Sequence, residues 1–170
     1  MNRFLFLAVA LCLAGYTLKA QEVPKPADFF GFEPGADRML FNYEPLIEYL
    51  EALDQVSGRL HLEEIGTTPM GKPIYIAFIS SEENIARLEE LRLINRELAL
   101  NATLTDEQQR ELVQKGRVFF LATLSMHSTE VAPTQAAPLI AYDLVTTRDS
   151  TKLSWLDKVV YMMNPCHNPD

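Results

Sequence analysis

The chain has 170 residues, a net charge of −8, 48% hydrophobic residues and two cysteines. A basic residue, Arg3, is followed by an unbroken apolar run from Phe4 to Ala14. That run is shorter than the roughly 20 residues that a membrane-spanning helix needs. We predict that residues 1–20 are a secretory signal peptide cleaved after Ala20, which implies a secreted or periplasmic protein with no membrane span.

Without that segment the chain is strongly acidic. Residues 21–170 carry 13 basic and 23 acidic residues, a net charge of −10. This balance argues against a nucleic-acid partner, because binding to phosphate backbones depends on clustered lysine and arginine. Only Cys166 remains after cleavage, so the exported chain cannot form an internal disulfide. The length allows one domain of ordinary size or part of a larger one.

The first elements are a lead-in, a helix and a hairpin. Residues 21–41 contain three prolines and two glycines, and we predict an irregular lead-in without regular structure. Asn42 can cap a helix over 43–56, whose apolar residues form one stripe. Two strands follow, over 60–66 and 73–80, and a turn joins them into an antiparallel hairpin.

The second part of the chain reads as helices alternating with buried strands. A long helix is predicted over 82–98, and a shorter one follows, opened by Thr105 and ended by Gly116. Residues 118–124 and 159–163 are apolar on both alternating faces, as expected of strands covered on both sides. The helix predicted between them, at about 133–147, makes the two strands parallel.

These elements predict an α/β fold, with a mixed, mainly parallel sheet flanked by helices and preceded by the antiparallel hairpin. A parallel sheet needs more strands and covering helices than this chain supplies. We therefore expect the sheet within residues 42–170 to be truncated.

Metal chemistry is the first chemistry to consider. Each of the three histidines is followed by an acidic residue three positions later: His61 by Glu64, His127 by Glu130 and His167 by Asp170. The first pair lies in a predicted strand, where residues three apart point to opposite faces about 10 Å apart. We therefore interpret His61 and Glu64 as surface or edge residues.

The second pair occupies a better position for a ligand site. His127 and Glu130 lie in the connection between a central parallel strand and the next helix, where open α/β sheets bind their ligands. Residues three apart on a helical turn face the same way, and an imidazole with a carboxylate suits a zinc ion. The alternative is a helix-capping acid beside a hydrogen-bonding histidine.

The third pair reaches the same edge of the sheet. His167 and Asp170 follow the second parallel strand, so they can line the same cleft, or they can serve only the chemistry of a turn. Cys166 is either a small packing residue or a soft ligand. The sequence contains no Gly-rich phosphate loop, no Gly-x-Ser-x-Gly motif and no Cys-x-x-Cys pair.

Four segments occur in an order that is specific when taken together. They are the hairpin LEEIGTTPMGKPIY (62–75), the motif MHSTEV (126–131), the helix over 135–144 and the loop NPCHNPD (164–170). With these segments, from about residue 28 to the last residue, the sequence resembles the zinc carboxypeptidase (funnelin) family of metallopeptidases.

The resemblance implies a zinc cofactor, with His127 and Glu130 as two of its ligands and the C-termini of peptides or proteins as substrates. It does not extend ligand status to His61, His167 or Asp170. The third zinc ligand, the arginine that binds the substrate carboxylate and the glutamate that serves as general base are expected beyond Asp170. The resemblance thus implies that residues 42–170 are the N-terminal half of a zinc carboxypeptidase-like catalytic domain. We expect this chain to be inactive alone, with no catalytic residue within it.

Two other functions remain open. One is a zinc-dependent deacylase or amidohydrolase that acts on a non-peptide substrate, which the downstream arginine would distinguish from a carboxypeptidase. The other is a non-catalytic binding domain or pseudoenzyme, if the chain is complete. Substrate side-chain specificity and oligomeric state are not readable from these residues.

Overall fold

A computed structural model describes residues 22–127 and 129–170. The predicted signal peptide over residues 1–20 lies outside these described residues. Within them, every helix is too short or too polar to cross a membrane.

Seven helices and four strands make up the described chain, and most of them begin within a residue or two of their predicted positions. In chain order the elements are α1 (Pro26–Phe30), α2 (Tyr43–Val56), β1 (Leu60–Thr67), β2 (Pro73–Ile79), α3 (Glu82–Ala86), α4 (Leu88–Leu100), α5 (Asp106–Lys115), β3 (Val118–Thr123), α6 (Val131–Thr146), α7 (Ser150–Leu156) and β4 (Val159–Asn164).

The four strands form one mixed sheet in the order β1-β2-β4-β3. β1 pairs with β2 and β2 with β4 in antiparallel fashion, while β3 and β4 are parallel. The mixed sheet, the hairpin and the parallel β3–β4 pair are therefore confirmed. Among the described residues only the β3–β4 pairing is parallel, because β2 enters the sheet as the second strand of a hairpin and runs against β4.

The core lies on both faces of this sheet. Alternate residues of β2 divide between the faces: Ala77 and Ile79 pack with α2 and α6, whereas Phe78 packs with α4. The faces of α2 and α4 that meet the sheet are those that the apolar spacing predicts, including Leu50 and Leu91, both fully buried. β2 is thus the strand that is covered on both sides.

The prediction that residues 118–124 form a strand covered on both faces is wrong for the described residues. β3 is the edge strand, and Val118, Phe120 and Leu121 are each more than half exposed. The physical reason is that β3 contacts mainly β4, and no helix of the described residues packs closely over these three side chains. A continuously apolar run shows that a strand can be buried, but it does not say what covers it.

The lead-in also differs from its prediction, since it contains the helix α1. Pro26 occupies the first turn, and Gly31 ends the helix in the left-handed region at φ 76° and donates its N–H to the carbonyl oxygen of Ala27 at 2.9 Å. Proline at the first helical position and glycine after the last are the residues that delimit helices. The prolines and glycines that suggested irregular structure therefore frame a short helix here.

The helix predicted over 82–98 is divided in two. The chain leaves helical geometry at Arg87, with φ −118° and ψ 28°, between α3 and α4. The buried amide of Asn84 holds α3 by donating to the carbonyl oxygens of Leu156 (3.0 Å) and Asp157 (3.1 Å). α4 instead packs against the sheet, so the two helices are oriented by different contacts.

The helix α7 was not predicted from the sequence. Asp149 caps it through the N–H groups of its first turn.

A buried pair joins the lead-in to α6. The side chain of Gln135 accepts a hydrogen bond from the N–H of Phe41 (3.3 Å) and donates one to the carbonyl oxygen of the same residue (3.0 Å). Both residues are about 8% exposed, so neither backbone group can turn to bulk water instead. This pair fixes the distance between the lead-in and the helix that follows the candidate site.

We predict that Gln135→Leu destabilises the domain while keeping its side-chain volume. Each buried group of Phe41 left unpaired costs about 1–3 kcal/mol, which urea unfolding of residues 21–170 would measure. The matched control is Gln114→Leu, the same change on the exposed surface of α5, and it should leave the midpoint almost unchanged. Equal stability of the two variants would contradict a structural role for the Gln135 pair.

Candidate metal centre

The loops after the two parallel strands are joined to each other by backbone hydrogen bonds. Leu124 donates its N–H to the carbonyl oxygen of Asn164 at 3.0 Å, and its own carbonyl oxygen accepts the N–H of His167 at 2.7 Å. These bonds continue the β3–β4 pairing for one step beyond the strands. The carboxyl ends of both strands therefore lie side by side, as the sequence predicted.

Ser125 holds the next segment of the loop against the start of α6. It is buried and adopts a left-handed backbone conformation, with φ 50°. Its hydroxyl donates a short hydrogen bond to the carbonyl oxygen of Glu130 and accepts the N–H of Thr134 at 3.2 Å. Thr134 in turn donates its hydroxyl to the carbonyl oxygen of Pro165 at 2.9 Å. The loop after β3, the helix α6 and the loop after β4 thus form one connected unit.

The structure brings His127 and Glu130 together at the outer side of this loop. Their side chains meet at 2.9 Å between Nδ1 and Oε1, and the N–H of His127 donates to Oε2 at 3.1 Å. A turn closed by the N–H of Glu130 and the carbonyl oxygen of His127 at 2.9 Å sets this geometry. Both side chains are exposed, at 70% for His127 and 48% for Glu130. The predicted same-side placement is therefore present.

The Glu130 carboxylate does not act as the helix cap that the alternative interpretation requires. Glu130 occupies the position before α6, yet its side chain makes no capping bond to that helix among the residues that the structure describes. It bonds to His127 instead. Hydrogen bonds from the His127 side chain and then from its backbone hold the pKa of Glu130 below its usual value. The carboxylate is therefore ionised at neutral pH, which is the form that binds a cation.

The donor set fits a zinc ion as two of its ligands. Imidazole nitrogen and carboxylate oxygen both bind zinc at about 2.0–2.2 Å. Tetrahedral bonds of that length place two donors about 3.4 Å apart, so the pair needs to open by about 0.5 Å. Exposed side chains can move that far at little cost. Within residues 22–127 and 129–170, however, no three histidine, cysteine, aspartate or glutamate side chains are grouped to hold a metal.

The first histidine pair lies away from this site. His61 is on β1, with Nδ1 3.9 Å from Oδ1 of Asp54 and its ring 6.4 Å from that of Phe78. Both His61 and Glu64 are exposed or half-exposed residues of that strand. Their interpretation as surface residues agrees with this placement.

The third pair, His167 and Asp170, lies at the predicted edge of the sheet, but the two residues bond different parts of the structure. His167 takes part through its backbone N–H. The carboxylate of Asp170 bonds the turn between β1 and β2, accepting the hydroxyl of Thr68 at 2.5 Å and the N–H of Met70 at 3.3 Å. Asp170 therefore serves turn chemistry, yet for a distant turn and not for its own backbone. Cys166 is half-buried and forms no disulfide with any described residue.

Two residues with a positioning role escaped the sequence analysis as such. Ser125 and Thr134 tie the loop together through hydroxyl groups, and neither belongs to a motif that would mark it. A serine with positive φ is uncommon, because the left-handed region favours glycine and asparagine. The only available sign is the placement of Ser125 directly between a strand and the His127 motif.

Comparison with known proteins gives the family of the chain. The family model described as "Zinc carboxypeptidase" matches residues 46–170. The chain belongs to the zinc carboxypeptidase family, as its resemblance implied. Comparison with curated proteins gives no significant match.

The fold gives a second, independent likeness. The chain is similar to carboxypeptidase A from Helicoverpa armigera, with a TM-score of 0.52 and 14% sequence identity. The likeness covers 85% of this chain and 30% of the carboxypeptidase A chain. At this identity it shows the fold alone. The chain thus spans less than a third of the length of the solved relative.

We predict that Ser125→Ala loosens the loop that carries the candidate ligands. It removes both hydroxyl bonds while keeping the unfavourable backbone conformation, so the domain should lose about 1–3 kcal/mol of stability. Ser125→Gly loses the same bonds but adopts a positive φ without strain, and it should fall between Ser125→Ala and the wild type. Thermal unfolding measures the order, and hydrogen exchange at the Thr134 N–H reports the local opening.

The matched control is Ser154→Ala, which changes an exposed serine of α7. It should leave both the unfolding temperature and the exchange rate of Thr134 at wild-type values. A wild-type exchange rate at Thr134 in both Ser125 variants would show that the hydroxyl does not hold the loop.

Proposed function

We propose that this chain is a portion of a zinc-dependent metallocarboxypeptidase and that His127 and Glu130 are two of its zinc ligands. The observation that carries this proposal is the 2.9 Å approach of the two side chains at the carboxyl end of β3. Family membership supports the same assignment, because His127 and Glu130 lie within the matched residues 46–170. The reaction is hydrolysis of the last peptide bond of a peptide or protein.

The chemistry divides between the metal and the side chains of the chain. Zinc, when bound, supplies an activated water at neutral pH and polarises the scissile carbonyl. His127 and Glu130 present one imidazole and one carboxylate donor from a single turn. Ser125 positions that turn against α6, and the backbone bonds of Leu124 join it to the loop after β4. These contacts involve the backbone and Ser125, so the side chains of His127 and Glu130 remain exposed to solvent.

We further propose that residues 21–170 have no peptidase activity by themselves. Catalytic zinc sites use three protein ligands and a water, whereas two ligands hold the ion poorly. In this proposal the third ligand, the general base and the arginine for the substrate carboxylate come from the remainder of the catalytic domain. The chain covers 30% of the length of carboxypeptidase A, which is compatible with such a remainder.

We predict that His127→Ala and Glu130→Gln each abolish zinc retention and peptidase activity in the complete protein. Loss of a ligand should exceed the roughly 100-fold that loss of an outer-shell partner costs. Zinc content is measured by elemental analysis after dialysis. Activity is measured as release of the C-terminal amino acid from a set of peptides. Residues 21–170 alone should release none.

The matched control for the ligand variants is His61→Ala, which removes an exposed histidine that is also followed by an acid three residues later. It should keep wild-type zinc content and activity. Full zinc content and full activity in His127→Ala would refute the ligand assignment. Zinc retention with cleavage of N-acylated non-peptide substrates, but not of peptides, would favour the deacylase alternative.

We also propose that the protein is exported and that it begins at Gln21 once processed. In a secretory host, mass spectrometry of the protein outside the cytoplasm should find Gln21 as the first residue. Leu7→Arg, which interrupts the apolar run, should leave an uncleaved chain in the cytoplasm. An exported protein that still begins at Met1 would contradict the cleavable signal peptide.

A further inference from the structure

An open groove lies between the lead-in and α6, next to the candidate metal centre. It has a volume of about 430 Å³ and is bordered on one side by residues 34–40 and on the other by α6. That volume lies within the range of roughly 300–1,000 Å³ that ligand sites have. No residue of this groove is among the proposed zinc ligands.

One end of the groove adjoins the segment that carries His127 and Glu130. On α6 it is lined by Val131, Gln135 and Leu139, which are four residues apart and so share one face of the helix. Val131 follows Glu130 directly in the chain. The distance along the helix from Val131 to Leu139 is about 12 Å at 1.5 Å per residue. An extended peptide covers that length with three to four residues.

The lining of the groove is mainly apolar and partly open to water, with Arg38 and Gln135 as its polar members. Leu40 is 62% exposed, Met39 43% and Leu139 41%, and small alanine side chains of α6 lie between them. Side chains of this type gain free energy when another apolar group covers them. The groove is therefore suited to apolar side chains spaced along an extended chain.

The shape of the groove is fixed by contacts behind it. Gln135 holds both backbone groups of Phe41, at the end of the lead-in side. The ring of Phe41 stacks on that of Phe30, with ring centres 4.2 Å apart. Tyr49 donates its hydroxyl to the carbonyl oxygen of Pro24 at 2.9 Å. A preformed groove loses less free energy on binding than one that must be ordered by its ligand.

One side of the groove lies outside the residues that the family model matches. That match begins at residue 46, whereas the lead-in side of the groove is formed by residues 34–40. The family match therefore does not include this side. A surface segment that borders a site can contribute to substrate selectivity.

We propose that this groove binds the side chains of a peptide substrate on the N-terminal side of its scissile bond and selects apolar ones. The inference rests on the proposed carboxypeptidase function and adds a substrate preference to it. A carboxypeptidase removes the last residue, so the rest of the substrate must leave the metal centre along the protein surface. Leu40 and Leu139 line the two sides of the groove, which reaches Val131 next to Glu130, and in this proposal they are the specificity-determining residues.

The test uses pairs of N-acetylated peptides that share their last two residues and differ upstream. One member of each pair carries Leu-Ser-Leu before these residues and the other carries Gly-Ser-Gly. For the complete zinc-loaded protein we expect kcat/KM to be about tenfold higher for the leucine form, in line with discrimination by apolar contacts. Leu40→Ser and Leu139→Ser should lower kcat/KM for the leucine form toward the value of the glycine form and so remove most of this preference.

The matched control is Leu100→Ser, a change at a leucine that is 72% exposed on α4 and does not line the groove. It should keep the tenfold preference. Equal kcat/KM for the two peptide forms in the wild type would overturn the inference while the carboxypeptidase function stands. An equal fall for both forms in Leu40→Ser would also overturn it, because that pattern indicates general damage.

A binding measurement keeps the test independent of catalysis. A fluorescein-labelled Leu-Ser-Leu-Ala-Phe amide should bind the zinc-free protein, as judged by fluorescence anisotropy, about tenfold more tightly than its glycine counterpart. Leu40→Ser should abolish the difference. If the protein cleaves no peptide but the difference in affinity persists, the proposed carboxypeptidase function is wrong, whereas the groove still binds apolar peptide side chains. If the labelled peptides bind equally, another region of the protein or a second copy covers the groove and the inference is wrong.

Discussion

The parallel pairing of β3 with β4 is the constraint on which the candidate site depends. Its register runs from Val118 opposite Val159 to Thr123 opposite Asn164, so both strands end at the same level. Only then can Leu124 bond to Asn164 and His167 through its N–H and carbonyl groups. A shift of one residue would reverse the faces of β3 and separate the two loops. His127 and Glu130 are thus positioned by backbone register before any side chain contributes.

The antiparallel strands also contribute contacts at the end of the sheet where the candidate site lies. Because β2 runs against β4, the beginning of β2 lies beside the end of β4, and the hairpin turn comes with it. Asp170 uses this proximity by bonding Thr68 and Met70 in that turn. Nearby, Asn164 donates its amide to the carbonyl oxygen of Tyr75 at 2.8 Å. The β1–β2 turn and the loops after β3 and β4 therefore meet at one end of the sheet. These contacts give the exposed candidate site a rigid base.

Local sequence patterns were sufficient for much of this fold. The boundaries of α5 could be read from capping and breaking residues, such as Thr105, which forms a full capping box with Gln108. The start of α2 after Asn42 was also predicted, although the Asn42 side chain makes no capping bond. The placement of His127 and Glu130 followed from the βαβ pattern, because that pattern alone fixes which loops share an edge. These features depend on neighbours in the chain, and a single sequence contains them.

Other features depend on contacts between distant residues, and no local pattern records them. The break at Arg87 follows from Asn84 binding the end of α7, some 70 residues later in the chain. The burial of β3 could not be judged, because a run such as Val118–Thr123 does not show whether its neighbours are present. Ser125 and Gln135 bond groups that lie beyond any motif, so their roles appear only once the loop and the lead-in are in place.

The helix α6 connects the candidate metal centre with the groove beside the lead-in. Its buried face, with Ala137 and Ala141, packs in the core beside the sheet, so the helix cannot move without disturbing β2 and β4. Its other face borders the groove. Because the same rigid helix begins directly after Glu130, a group bound along that face keeps a fixed distance from the candidate ligands. In the proposed carboxypeptidase, selectivity for the upstream residues of a peptide can therefore change through the lead-in, at residues such as Leu40, while the proposed zinc ligands stay where the sheet places them.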